Sequence, residues 1–146
     1  EQIYTTHNYI DFSMKMLRKG AVAAPAGKKL VIPFNMRDGL IIARGKGNDD
    51  WNQSAPHGAG RLLSRADAKA LIDLNEFKES MQGVYSTSVG TGTIDESPMA
   101  YKDPKEFMRL MQDTVEVEYF IRPVINLKAT NSYDSSVEID MNEEQD

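Results

Sequence analysis

The stretch KKLVIPFNMRDGLIIARG, residues 28–45, leaves a chain like this few ways to fold. Two apolar, β-rich runs, Leu30 to Phe34 and Leu40 to Arg44, flank the turn formers NMRDG, with Gly39 directly after Asp38. Runs of that length around such a turn predict an antiparallel hairpin. Downstream the period changes. In RLLSRADAKALIDLN (61–75), Leu63, Ala66, Ala70 and Leu74 recur at helical spacing. EFKESM extends that helix until Gly83 stops it, and the alternating GVYSTSV (83–89) predicts a strand. DPKEFMRLMQDT (103–114) carries Asp103 as an N-cap, Pro104 at the first helical position, and Phe107, Leu110 and Met111 on one face. VEVEYFIRPVINLKA (115–129) predicts a strand interrupted at Pro123. Strands and helices in this mixed order make an α+β fold of mixed sheets with helices.

Composition narrows the class. The chain has 146 residues, enough for one domain with a core. No window approaches the ~20 continuous apolar residues of a membrane span. The opening EQIYTTHNYIDF has no basic flank or apolar core of a signal peptide, so a cytoplasmic protein is expected. There is no cysteine, which excludes disulfides and thiolate metal sites within the chain. With no initiator methionine and a β-rich opening, the chain reads as the continuation of something longer.

The net charge of −5 is unevenly spread. Residues 132–146 hold six carboxylates and no Lys or Arg, and predict a disordered acidic tail after a domain at 1–131. From Lys15 to Lys69 there are eleven basic and four acidic residues. That excess suits a surface that meets phosphates, although a solvated charged face is the commoner explanation of charge alone.

Between hairpin and helix lies KGNDDWNQSAPHGAG (46–60), too rich in Gly, Asn, Asp and Pro for helix or strand. Trp51, the single tryptophan, is expected to pin this loop to the body. The loop ends in one of only two histidines, His57, at a glycine-rich turn ahead of the expected helix. Four readings fit it. His57 packs or caps a turn. Gly58 and Gly60 let backbone N–H groups approach an anion at a helix start. His57 binds a metal, for which one histidine is insufficient. Or His57 is a nucleophile toward a bound phosphate, forming a phosphoramidate.

The longer phrase GKGNDDWNQSAPHGAGRLLSR resembles the signature of the RtcB-type RNA ligases, in which the histidine of the HGAGR segment becomes guanylylated. TTHNYIDF, RKGA (18–21), IPFNMRDG (32–39), SMQGVYSTSV (80–89), DESPMAYKD (95–103) and RPVINLKA (122–129) resemble further family segments and fall in family order. The resemblance covers residues 1 to about 129 and points to the C-terminal portion of the ligase fold.

The resemblance implies a GTP- and manganese-dependent ligase joining RNA 2′,3′-cyclic phosphate or 3′-phosphate ends to 5′-hydroxyl ends. His57 would attack the α-phosphate of GTP and carry GMP to the RNA 3′-phosphate. By the same carry-over His7 binds Mn²⁺ and Asn8 lies at the nucleotide. Pro33, Phe34, Asn35 and Met36 line the GMP phosphate and sugar. Gly58, Ala59 and Gly60 offer backbone contacts, while Tyr101 and Lys128 lie at the guanosine. Arg18, Lys19, Arg37, Arg44, Lys46 and Arg61 are candidates for RNA phosphates. The RNA would be tRNA halves or broken RNA, and an archease-like activator is a further candidate partner.

One departure is large. The family's remaining metal ligands, an aspartate, a cysteine and two more histidines, come from upstream of the His-Asn segment, and this chain has no cysteine and no third histidine. The isolated chain is therefore expected to be incomplete and to need the missing N-terminal ligase half. Two other readings follow: an inactive nucleotide- or RNA-binding remnant, and a subunit that completes a partner chain.

Overall fold

A computed structural model of the protein describes residues 2–129. The expected acidic tail at 132–146 lies outside the described residues, as do the last residues of the expected domain. In chain order the elements are β1 (Asn8–Asp11), β2 (Met16–Lys19), β3 (Ala21–Ala23), β4 (Lys29–Pro33), β5 (Leu40–Gly45), β6 (Ser54–Pro56), α1 (Arg65–Leu71), α2 (Leu74–Ser80), α3 (Pro104–Met111) and β7 (Val115–Ile121). Short 3-10 turns cover Asp49–Trp51, Thr91–Glu96 and Pro98–Ala100. This is the expected α+β class, with small antiparallel sheets. No helix among the described residues is long and apolar enough to cross a membrane.

The β4–β5 hairpin organises the rest. Val31 faces Ile42 and Ile32 faces Ile41 across an antiparallel ladder. Asn35 Oδ1 accepts from the N–H groups of Arg37 and Asp38, which closes the turn locally. Gly39 then takes φ +78°, a left-handed conformation that glycine adopts without a Cβ penalty. On its other edge β5 pairs with β7, with a register shift between Ile42 and Ala43. Alternation puts Leu30, Ile32, Ile41 and Ala43 on the buried face. Phe107 and Met111 of α3 cover that face, with Phe107 edge-to-face on Phe34 at 6.0 Å. A second cluster joins Met36, Phe77, Met81 and Ile94. β1 pairs with β2, and β3 with β6, as separate two-stranded ribbons.

Five sequence expectations need correction, the first being that 46–60 holds neither helix nor strand: Asp49–Trp51 forms a 3-10 turn and Ser54–Pro56 pairs with β3 as β6. The helix over 61–75 begins only at Arg65, where the Ser64 side chain caps it, and ends at Leu71. Asp73 caps a new helix by accepting from the N–H groups of Asn75 and Glu76. That break resets the phase, so Ala68 and Phe77 are the buried positions while Ala66 and Ala70 are exposed.

The strand expected at 83–89 is a series of turns with one parallel bridge, Tyr85 to Ile125. Its residues favour extended structure, but they meet one short segment rather than a strand edge. Leu110 is 57% exposed, and the covered face of α3 is Phe107 with Met111. Trp51 is 55% exposed and does not anchor its loop. Polar contacts do so instead: Asn48 Nδ2 donates to Asp113 O and Lys46 Nζ to Gln112 O.

Candidate functional site

His57 follows β6, the strand that pairs with β3 and so brings the loop end beside the β2–β3 corner. At that corner sits Gly20, with φ +66°. His57 Nδ1 lies 2.7 Å from Gly20 O. A carbonyl oxygen only accepts, so Nδ1 carries a proton, and in the neutral ring the lone pair is then on Nε2. The Gly20 N–H in turn donates to Asn8 Oδ1 at 3.0 Å. The His7 ring stacks on His57 with centroids 4.6 Å apart and planes 17° apart. Both histidines of the chain therefore meet, although 50 positions separate them.

His57 borders two cavities. The larger, about 680 Å³, is lined by the apolar Phe34, Leu40, Ile121 and Ile125 and by the cationic Arg61, Arg65 and Lys128. Pro33, Asn35, Gly58, Ala59, Gly60 and Tyr101 also line it. The smaller, about 360 Å³, holds His7, Thr5 and Val31 beside His57 and Pro33. Gly58 packs so closely that a Cβ there would stand 3.1 Å from Pro33 O. Gly60 takes φ +72°. A cavity that combines apolar residues with three cations can take a nucleoside phosphate, whose base is apolar on its faces and whose phosphates are anionic. Asn126, also on the wall, keeps a buried side-chain oxygen without a donor among the described residues.

Residues from five separate stretches thus converge on one space, nine of the expected nucleotide residues among them. Met36 is not on that wall. It is fully buried in the second cluster against Phe77 and Met81, where it packs the fold. Ala59 spends its N–H on Pro33 O at 3.1 Å, so that amide is not offered to a ligand. Asn8 lies outside the larger cavity and reaches His57 only through Gly20. The anion-at-a-helix-start reading also fails geometrically. Residues 61–64 separate Gly60 from α1, and Arg61 bridges to Tyr101 there.

The expected phosphate contacts divide. Arg18 is 2% exposed, held by Asp11 Oδ2 at 3.1 Å, by Asn52 O and by the Ser54 hydroxyl. It serves the fold and presents no charge to the outside, because a buried guanidinium needs its partners. Arg37 pairs with Asp38 through two hydrogen bonds, which raises the Arg37 pKa further. Arg44 pairs with Glu118, and Lys46 donates to Gln112 O at 2.6 Å. Lys19 is exposed. Arg61 is half-buried at the cavity, with its guanidinium 5.2 Å from the Tyr101 ring centre.

A manganese centre is not completed here. Among the described residues no three His, Cys, Asp or Glu side chains converge to hold a metal ion. His7 alone does not fit the requirement of several ligands per ion.

Sequence reasoning missed Glu96 and Arg65. Glu96 Oε2 accepts from the Tyr101 hydroxyl at 2.8 Å and meets Lys128 Nζ at 3.3 Å. Its Oε1 meets Arg65 Nη1 at 2.9 Å and Arg61 Nη1 at 3.5 Å. Arg65 also pairs with Asp95. Burial would lift the Glu96 pKa, but the Tyr101 hydroxyl, Lys128 and Arg65 together hold it below the usual range. Burial and the same carboxylate push the Tyr101 phenol up to about 12. The acidic pair stood inside DESPMAYKD, but nothing local in that phrase says which cations reach it.

The whole length of the described chain, residues 2–129, matches the family model for the tRNA-splicing ligase RtcB. The chain belongs to the RtcB family. The RNA-splicing ligase RtcB of Escherichia coli K12 is 38% identical over 134 residues, covering 88% of this chain and 33% of that protein. The tRNA-splicing ligase RtcB of Aeropyrum pernix is 38% identical over 82 residues, covering 53% of this chain and 17% of that protein. That of Nanoarchaeum equitans is 32% identical over 92 residues, covering 60% and 19%. The chain spans about a third of the length of the Escherichia coli RtcB that it matches.

Proposed function

We propose that this chain is the nucleotide-accepting part of an RNA ligase that joins RNA 2′,3′-cyclic phosphate or 3′-phosphate ends to 5′-hydroxyl ends with GTP. The observation that carries the reading is the His57–Gly20 bond at the edge of the larger cavity. It fixes the tautomer in which Nε2 is a nucleophile. Nε2 would attack the α-phosphorus of GTP, forming an N–P bond as the bond to the bridging oxygen breaks and pyrophosphate leaves. Gly20 O would keep the Nδ1 proton and stabilise the positive charge growing on the ring. GMP would then pass to an RNA 3′-phosphate, and the RNA 5′-hydroxyl would displace it.

Holding the nucleotide falls to the cavity. Phe34 and Leu40 offer the apolar wall, and Arg61, Arg65 and Lys128 the charge. Phosphoryl transfer depends mostly on such positioning and neutralisation. The family implies manganese as well, with the missing ligands supplied from outside the described residues. RNA, as tRNA halves or broken strands, is the partner, with Lys19 the exposed cation nearest in sequence to Gly20.

Intact mass after incubation with GTP and Mn²⁺, with and without the upstream ligase portion, tests the reading. The expected result is an acid-labile gain of one GMP that His57→Ala abolishes. No adduct even with the upstream portion would replace the ligase reading by that of a nucleotide- or RNA-binding remnant.

A further inference from the structure

The β4–β5–β7 sheet is apolar on both faces, and α3 covers one of them. Leu30, Ile32, Ile41 and Ala43 pack with Phe107 and Met111 on the inner side. The positions between them point the other way. There Val31 faces Ile42, which faces Tyr119, and Pro33 faces Leu40, which faces Ile121. A sheet that turns one face to water alternates apolar with polar residues, whereas strands apolar at successive positions belong to a sheet buried on both sides. The third row, Lys29, Arg44 and Glu116, is polar and marks the border of the apolar area. Tyr119 is 62% exposed and Ile121 44%. We propose that this outer face is the seat of the upstream ligase portion, which lies across Val31, Ile42 and Tyr119 and reaches His7 from there. The proposal rests on RtcB family membership and not on GMP chemistry at His57, so the two readings fail separately.

The occupant follows from what surrounds the face. The match covers 33% of Escherichia coli RtcB, so most of that protein lies outside it. The face also runs directly into both cavities. Leu40 and Ile121 line the larger, Val31 the smaller, and Pro33 both. Val31 shares the smaller cavity with His7, and its N–H donates to the Thr5 hydroxyl, which holds the segment ahead of His7 along β4. A chain seated on Val31 therefore arrives beside His7. His7 in turn has too few companions for a metal ion, since no three ligating side chains converge among the described residues. A segment that comes in over this face stands where further donors are needed. A second copy of the chain fits worse. Its two histidines are already stacked on each other, and it has no cysteine to add.

Because the chain has no cysteine, one introduced thiol reports on one position. The chain is to be co-expressed with the upstream part of Escherichia coli RtcB, as Tyr119→Cys and, for the opposite side of the sheet, as Leu110→Cys on α3. Maleimide should label both variants in the isolated chain, where each position is exposed. In the complex, labelling of Tyr119→Cys should be lost and that of Leu110→Cys kept. Tyr119→Arg should weaken the association by about thirtyfold, the scale of one buried aromatic anchor, with the melting of the isolated chain unchanged. If Tyr119→Arg unfolds the chain, the milder Tyr119→Cys still decides. No association, equal labelling of Tyr119→Cys in chain and complex, or equal protection of both positions overturns the proposal. Protection that grows with concentration in the chain alone assigns the face to a second copy and overturns it too. A protected Tyr119→Cys without any GMP adduct at His57 would sink the GMP reading and leave this one standing.

Discussion

Gly20 O holds His57 Nδ1 at 2.7 Å while the Gly20 N–H is held by Asn8 Oδ1 at 3.0 Å, so one residue, through the peptides on either side of it, ties the two histidine-bearing segments together. Gly20 reaches this position at φ +66°, with the His57 ring 3.7 Å from where a Cβ would sit. There is room for a methyl group but strain in the backbone. Gly20→Ala should destabilise the fold by about 1 kcal/mol, the cost of a left-handed L-residue. Because the strain falls on the peptide that orients the imidazole, GMP adduct formation should slow as well. Thermal melts and timed intact-mass spectra check the two effects separately. A melt that shifts with an unchanged adduct rate would mean the ring is oriented by something else.

Asp11 and Arg18 form a buried pair, and the Ser13 hydroxyl, the Met14 N–H and Arg18 hold the Asp11 carboxyl down at about 2. Its folded pKa is thus below its unfolded one. The stability it contributes is complete above the ordinary 3.8 and is lost as pH falls towards 2. The melting temperature of wild type should therefore drop more steeply over that interval than that of Asp11→Asn. Parallel curves would show that Asp11 contributes no pH-linked stability.

Gly39 is the tightest turn position. A Cβ there would come within 2.1 Å of Ile121 O, on top of a φ of +78°. Gly39→Ala should cost about 2 kcal/mol or more, since backbone cannot yield as a side chain does. Amide exchange should quicken at Leu40 and Ile121, which face each other across the ladder. Denaturant titration with hydrogen exchange measures both.

Core and surface should separate cleanly. Ile32 is fully buried on the inner face of β4, and Ile32→Ala should cost about 2–5 kcal/mol. Phe12 is 84% exposed, and Phe12→Ser should change stability of the chain by no more than about 0.5 kcal/mol. Chemical denaturation of the two variants under one condition decides the matter.

What could be read in advance depended on whether the deciding partners were local. The hairpin lay open in its alternation and in Asn35–Gly39, and α3 in Asp103–Pro104, because turns and caps act within a few residues. The helix break was also legible in principle: Asp73, three positions before Glu76, is a start signal hidden inside an apolar run. The 83–89 segment was not, since whether Tyr85 finds a strand edge is decided by residue 125. Arg18 shows the limit of charge counting. Its neighbours in sequence are basic, and its partners are Asp11, Asn52 and Ser54. At the site, resemblance to family segments located the cavity wall, whereas Glu96 becomes visible only once residues 61, 65, 101 and 128 are seen to meet on it.

His57 lines both cavities, so any substitution there alters the wall of each. Truncation to alanine removes more than a nitrogen: it takes the bulk of the ring out of both linings at once. A lost reaction in that variant would have two causes mixed together. Glutamine keeps much of the bulk without the nucleophile, and a comparison of the two substitutions divides chemistry from enclosure.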